Sequence, residues 1–430
     1  MRLEEYDRHA LGAWVEQLRA RYMALGERGL DLDLTRGKPS LAQLELSAAM
    51  DGILGGDYRL ADGSDSRGYG GLDGIPEAKA LAAAWLGVAP GDVLVGGNSS
   101  LALMYQFLLS AHLLGLEEPG RAWRHVDGGA RCLCPVPGYD RHFMICEALG
   151  IDMVPVPMDE RGPDMDVVEG LVREDARVRA MWCVPKYSNP TGVVYADEVV
   201  RRIAALPRIA PAGFRVLWDN AYAVHDFIEP RAELADIAAS CRELGTTEGV
   251  VQFGSTSKVT FAGAGIAFMA GGAATMAAFR RHLSVSTIGP DKINQLRHVR
   301  FLGDMDGVRA HMRAHAELLR PKFACVERHL HDGLAERGMG TWTEPRGGYF
   351  VSVDALPGLA RRIVRMAGEV GVRLTPAGAA FPYGDDPADR NIRLAPSFPP
   401  LEEVDQAMEV FVTCVQLASA EQRLAALRAA

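Results

Sequence analysis

Apolar positions along the chain follow two rhythms. Between residues 46 and 300, short apolar runs alternate with longer stretches of helical periodicity. The short runs are DVLVGG (92–97), ARCLCPV (130–136), IDMVPVP (151–157), VRAMWCVP (178–185), FRVLWDN (214–220), GVVQFGS (249–255) and GIAFMAG (265–271). Their length and composition predict strands. SLALMYQFLLSAHLLG after Asn98 and ADEVVRRIAAL after Tyr195 predict helices between them. Short apolar strands alternating with helices imply an α/β fold, a mostly parallel sheet sandwiched by helices. In such sheets the ligand crevice lies beyond the carboxyl ends of the strands. Asn98, Ser99, Tyr139, Asn189, Asp219, Tyr222, Ser255 and Lys258 all fall at those ends.

Outside this region the pattern changes. Residues 5–25 predict a helix, and LDLTRGKPS, from Leu32, a loop after a short extended piece. After residue 300, a long helix over 308–337 leads to TWTEPRGGYFVSVD, a hairpin or strand pair. A helix, a strand near RNIRLAP and a final helix from Pro400 follow. Neither chain end has a complete core pattern alone. The expected organisation is a large domain over 46–300 and a smaller α+β domain built from 1–45 and 301–430.

The 430 residues are 48% hydrophobic and 23% charged, ordinary values for a globular chain with a large core. A net charge of −9 and a pI near 5.7 argue against a nucleic-acid partner. The opening MRLEEYDRHALGAWVEQLRARY lacks the apolar segment of a secretory signal. No stretch reaches the ~18 apolar residues of a membrane span. The seven cysteines (Cys132, Cys134, Cys146, Cys183, Cys241, Cys325 and Cys414) are odd in number and contain no C-x-x-C pair. A zinc site or redox dithiol is therefore not expected; reduced, buried thiols in a cytoplasmic protein are.

Candidate chemistry starts with FGSTSKVTFAGAG, where Lys258 is the one charged residue after a buried strand. A lysine there costs free energy unless it is used. Desolvation lowers the pKa of an amine, and a neutral amine can form a Schiff base with an aldehyde. Taken alone, Lys258 reads more readily as a snorkelling or ion-paired lysine. Its neighbours change the weighing. Ser255 and Ser257 suit a phosphate. DNAY places Asp219 and Tyr222 at the end of the preceding strand. Pyridoxal phosphate needs a carboxylate at its pyridinium nitrogen, and tyrosine or asparagine can donate to its 3′-oxygen. GGNSS (96–100) follows a strand and opens a helix, a place where backbone N–H groups and hydroxyls bind phosphate; it is also an ordinary capped helix start. Tyr139, in CPVPGYDRHF, could stack on a pyridine ring. YSNPTG (187–192) is a turn in its own right. Arg393, in RNIRLAP, has the fork geometry for a carboxylate, or for a structural ion pair.

Together GNSS, PGY, SNPTG, DNAY, STSK and RLAPSF, in this order, resemble the fold-type-I pyridoxal-phosphate aminotransferases. RGKPS, PGYDRHF and SKVTFAGAG resemble the aspartate-aminotransferase-like branch related to the catalytic domain of MocR-type regulators. The resemblance implies roles. Lys258 holds the cofactor as an aldimine and shuttles the α-proton. Asp219 faces the pyridinium, Asn189 and Tyr222 the phenolic oxygen, Ser99, Ser100 and Ser255 the phosphate. Tyr139 stacks on the ring, and Arg393 clamps the substrate α-carboxylate, with Asn189 and Gly37 on the substrate side. Tyr69, in SRGYGGLDG, reaches the phosphate of a partner subunit, which implies a homodimer. One feature departs from the family: GAGIAF lacks the usual phosphate-pairing arginine after the lysine, leaving Lys292 or Arg297 to compensate.

A dicarboxylic substrate needs a second cation. Arg141, two residues after Tyr139, is the first candidate, with Arg36 and Lys38 as others. The leading expectation is ping-pong transamination between L-aspartate and 2-oxoglutarate. Aromatic-amino-acid or kynurenine transamination, or a β-lyase, are alternatives on the same scaffold. A non-catalytic ligand sensor would call for a basic winged-helix segment, which residues 1–45 do not resemble.

Overall fold

The structure is a computed structural model that describes residues 2–116 and 122–429. A two-residue strand, β1 (Leu32–Asp33), precedes the main sheet. That sheet contains β2 (Val93–Val95), β3 (Arg131–Val136), β4 (Asp152–Asp159), β5 (Gly162–Pro163), β6 (Val178–Cys183), β7 (Arg215–Asp219), β8 (Val250–Ser255) and β9 (Ala267–Gly271). Its order is β2-β9-β8-β7-β6-β3-β4-β5. The central run from β8 to β4 is parallel. β9 is antiparallel to both β8 and β2, and β5 to β4. Because β9 reverses direction between them, β2 and β8 point the same way. The carboxyl ends of β2, β3, β6, β7 and β8 therefore share one edge.

Strand side chains alternate between faces. Cys132, Cys134, Ala180, Trp182, Leu217, Val251 and Phe253 enter one core with the helices Ser100–Leu113 and Asp140–Leu149. Leu133, Met181, Cys183, Val216, Trp218 and Val250 enter the other, with the helices Met165–Glu174 and Asp197–Ala205. Covering both faces explains why these strands read as unbroken apolar runs. The alternation also places Asp219. It continues the Leu217 face, one step past the last apolar position, and emerges on the side of the Asp140–Leu149 helix.

The chain ends form β10 (Gly340–Trp342), β11 (Val351–Ala355), β12 (Val372–Arg373) and β13 (Asn391–Leu394). β10, β11 and β13 form an antiparallel sheet, and β1 pairs with β12. Leu11, Val15 and Leu18 of the first helix share one core with Leu330 and Leu334 of the long helix and Phe411 and Val415 of the last. The long helix begins three residues earlier than its apolar pattern suggests, at Met305. The Asp304 side chain caps it by accepting from the Asp306 and Gly307 N–H groups. All seven cysteines are free and buried. Among the described residues no helix is long and apolar enough to cross a membrane.

Candidate active site

The shared strand edge opens onto a cavity of about 110 Å³. Ser99, Ser100, Tyr139, Asn189, Asp219, Tyr222, Ser255 and Lys258 all line it. Clefts of about 280 and 740 Å³ lie elsewhere. In the larger, Lys186 is already paired with Asp226 at 2.8 Å, so its amine is committed to structure.

Lys258 sits in the turn after β8, so the buried strand ends before the amine begins. Its Nζ lies 4.9 Å from the Tyr222 ring centroid. Burial pulls its pKa below the ordinary lysine value, and the Asp219 charge works in the opposite sense. The backbone of this turn is held from below. The His225 Nε2–H donates to the Lys258 carbonyl at 3.2 Å and the Tyr349 hydroxyl to the same oxygen at 3.4 Å. The His311 Nε2–H donates to the Val259 carbonyl at 2.7 Å, and His298 Nε2 pairs with Thr260 Oγ1 at 2.9 Å. Gln43 links Tyr349, at 2.9 Å, to His315, at 3.0 Å.

This support is acid-sensitive. Burial holds the pKa of His225 at about 3 and those of His298 and His315 at about 4. In the unfolded chain each titrates near 6.5. The stability these neutral imidazoles contribute is full above that value and is lost as pH falls through it toward their folded pKa values. Three such groups cost roughly 4 kcal/mol per pH unit below about 6. Urea unfolding of the chain at pH 7.0 and 5.5 should show a clearly lower midpoint at 5.5; equal midpoints would refute this.

Asp219 is buried, and its Oδ2 accepts from the His142 Nε2–H at 3.1 Å. His142 is fixed in turn. It stacks on Trp182 at 3.9 Å between centroids and 6° between planes, and meets Tyr139 edge-on at 4.9 Å. The other oxygen, Oδ1, is buried and has no hydrogen-bond partner among the described residues. A buried carboxylate oxygen left unpaired costs about 1–3 kcal/mol or more, so it is positioned for a donor from the cavity. Burial, then the Asp219 charge, raises the Tyr139 phenol to about 12. Burial also pushes Tyr222 well above its ordinary value. Both phenols keep their protons and can donate.

At the cavity's other end, Gly97 (φ 68°) turns the chain from β2 into the Ser100–Leu113 helix, a backbone conformation suited to glycine. Ser99 caps this helix by position, but its hydroxyl makes no cap hydrogen bond. Ser255 Oγ donates to Ser257 Oγ at 3.1 Å, and Ser257 Oγ to the Asn98 carbonyl at 3.0 Å. Hydroxyls beside a helix N-terminus suit a phosphate. An acceptor waiting for a pyridinium proton, a desolvated amine and this cradle together fit a phosphorylated pyridine aldehyde.

Arg393, in β13, is buried. Its Nη1 donates to Asp140 Oδ1 at 2.8 Å and to Asn189 Oδ1 at 3.3 Å. Its Nε donates to Thr375 Oγ1 at 3.4 Å, and the guanidinium lies 5.0 Å over the Phe350 ring. The Gly37 backbone packs on the same ring: a Cβ there would come within 2.5 Å of Phe350.

Several expected residues are not among those lining the cavity. Arg141, one position further along its helix than Asp140, is half-buried and donates to Met144 Sδ at 3.5 Å. One helical step rotates a side chain by about 100°, so Asp140 and Arg141 leave the helix in different directions. Arg36 and Lys38 are exposed, with Lys38 over Phe398 at 3.7 Å. Tyr69 is 92% exposed. The Arg297 guanidinium donates to Asn294 Oδ1 at 2.6 Å, and Lys292 packs beside Gly71. His142 and Asp140 are the functional positions that sequence reasoning missed. Both lie in PGYDRHF, three residues and one residue after Tyr139, and helical spacing from Tyr139 is the signal that could have found His142.

Away from this site, Cys325, His329 and Asp405 converge within 4.8 Å. The Arg328 guanidinium already donates to the same Asp405 Oδ1 at 2.7 Å, so a protein cation neutralises that carboxylate.

Residues 7–426 match the family described as aspartate amino-transferase. An aspartate aminotransferase of Corynebacterium glutamicum is 44% identical over 97% of this chain and 96% of its own. The crystal structure of an aspartate transaminase from the same species superimposes with a TM-score of 0.93, at 44% identity, over 98% of this chain and 99% of that one. A 2-aminoadipate transaminase of Thermus thermophilus is 26% identical over 74% of each chain.

Proposed function

The chain belongs to the aspartate amino-transferase family, whose members are pyridoxal-phosphate-dependent transaminases, and from that premise we propose that it exchanges an amino group between L-aspartate and 2-oxoglutarate in a ping-pong reaction at Lys258. The observation that carries the reading is the half-satisfied Asp219 carboxylate in the same cavity as the desolvated Lys258 amine. Bound there, pyridoxal 5′-phosphate supplies an aldehyde that takes up the amino group and a ring that accommodates negative charge at the neighbouring carbon.

The residues divide the remaining work. Asp219, anchored by His142, keeps a positive charge on the ring nitrogen. Asn189 Oδ1 accepts from Arg393, so its Nδ2 would be available, with Tyr222, to donate to the cofactor's phenolic oxygen. Tyr139 covers the ring, and Ser99, Ser100 and Ser255 hold the phosphate. Arg393 takes the α-carboxylate. Lys258, whose buried amine gives up its proton more readily than a free lysine, would act as the base that moves the α-proton. Tyr69, 92% exposed, serves the site of a second copy, so the working unit is a homodimer. Residues 46–300 form the cofactor-binding domain and 1–45 with 301–430 the small domain, a division supported by the core that the two chain ends share. Seven free thiols support a cytoplasmic setting.

Aspartate as donor is supported by the 44%-identical Corynebacterium enzyme. With 2-oxoglutarate as acceptor, steady-state rates should be compared for L-aspartate, L-2-aminoadipate, L-tyrosine and L-kynurenine. The kcat/KM for aspartate should lead by at least about tenfold, because recognised polar groups discriminate strongly. A lead for tyrosine or kynurenine would move the assignment to aromatic donors.

A further inference from the structure

Arg393 carries an acidic partner of its own, Asp140, beside the site. The guanidinium is buried, and its Nη1 is committed to Asp140 at 2.8 Å and Asn189 at 3.3 Å. Its Nε is committed to Thr375 at 3.4 Å. A carboxylate that binds an arginine in bidentate fashion needs two parallel N–H groups, either from both terminal nitrogens or from Nε and one of them. Each arrangement takes an N–H from an atom that is already donating. Thr375 and Asn189 are neutral acceptors, and Asn189 lies in the cavity wall. Asp140 is the charged partner. Its side chain is 27% exposed against 7% for that of Arg393, so it has room to turn toward solvent while the arginine stays in place. It is also the first residue of the Asp140–Leu149 helix, where the helix dipole favours a carboxylate even without its arginine.

We propose that Asp140 is a built-in competitor of the substrate carboxylate: it neutralises Arg393 between substrates, yields to each incoming amino or oxo acid, and returns to help expel the product. A buried guanidinium without an anion is costly. A ping-pong enzyme must release one carboxylate and accept another at the same arginine in every cycle. An internal counter-ion covers the interval and lowers the affinity for both acids alike. Asp140 acts through Arg393 and is a positioning residue. The proposal rests on Arg393 being the carboxylate clamp.

The test uses the cofactor-loaded enzyme and succinate, a dicarboxylate with no amino or keto group. Calorimetric titration of D140N should show succinate bound roughly tenfold more tightly than by the unsubstituted chain, the size of one charge-assisted hydrogen bond no longer displaced. D140S should tighten binding in the same direction. D140E, which keeps the charge, should stay close to the unsubstituted enzyme. In turnover, KM for the amino acid and for the oxo acid should fall together in D140N, by more than any change in kcat. A purely structural role for Asp140 would weaken binding, and unchanged or weaker succinate binding by D140N and D140S would overturn the proposal. R393A separates the two claims. If R393A loses succinate while D140N gains nothing, the clamp stands and the competitor falls. If R393A binds succinate normally, the clamp reading itself fails.

Discussion

Replacing Lys258 by alanine should reduce kcat by at least about 10⁴-fold while the chain still folds, since the substitution removes the amine proposed to move the α-proton. The argument rests on position. Lys258 lies three residues past Ser255, the last residue of β8, and its side chain lines the cavity. What holds the turn is its backbone, through His225 and Tyr349, and alanine keeps that carbonyl. Removing a desolvated amine also relieves a burial cost. The midpoint of urea unfolding should therefore change little or rise. Exogenous small amines should restore part of the rate, because the missing function is a base in a defined place. A Lys258→Ala enzyme with more than a few per cent of the original activity would show that another group carries the proton.

The second large effect concerns Asp219. Asp219→Asn keeps the shape and can still pair with His142, but it removes the charge that the proposal sets against the ring nitrogen. The expected loss is on the order of 10²–10³ in kcat, typical of removing one preorganised electrostatic group from a water-poor site. KM for aspartate should change far less, since the proposal assigns the substrate carboxylate to Arg393 and not to Asp219. The Oδ1 that lacks a partner becomes either an amide or its oxygen, so affinity for the cofactor should weaken as well. Equal kcat in Asp219→Asn and the unsubstituted enzyme would remove Asp219 from the chemistry.

Much of this was legible in the sequence because the chemistry sits where a strong pattern stops. FRVLWDN and GVVQFGS are runs buried on both faces, and Asp219, near the end of the first, and Lys258, three residues past the second, are carried into one cavity by parallel pairing. Arg393 was legible for the same reason, as a charge inside a strand-like run. Contacts between elements far apart in sequence were not. His142 meets Asp219 across 77 residues, and Asp140 meets Arg393 across 253. In the sequence, Asp140 is an acidic residue in the first turn of a helix, where acids are common for reasons of the dipole alone. Helix phase, not distance along the chain from Tyr139, sets the different directions of Asp140 and Arg141. His311 and His315 are spaced like any pair on a helix face; their place under the lysine turn depends on how the long helix packs against residues 256–260.

The most direct test of the account is a single half-reaction. Purified, cofactor-loaded enzyme is mixed with L-aspartate alone, without 2-oxoglutarate, and followed by absorbance while oxaloacetate is assayed. The account predicts that the visible band of the lysine-bound cofactor disappears, with about one oxaloacetate released per subunit, and that adding 2-oxoglutarate then restores the band. A visible band that persists in saturating aspartate, with no oxaloacetate formed, would contradict the assignment of aspartate as the amino donor at Lys258.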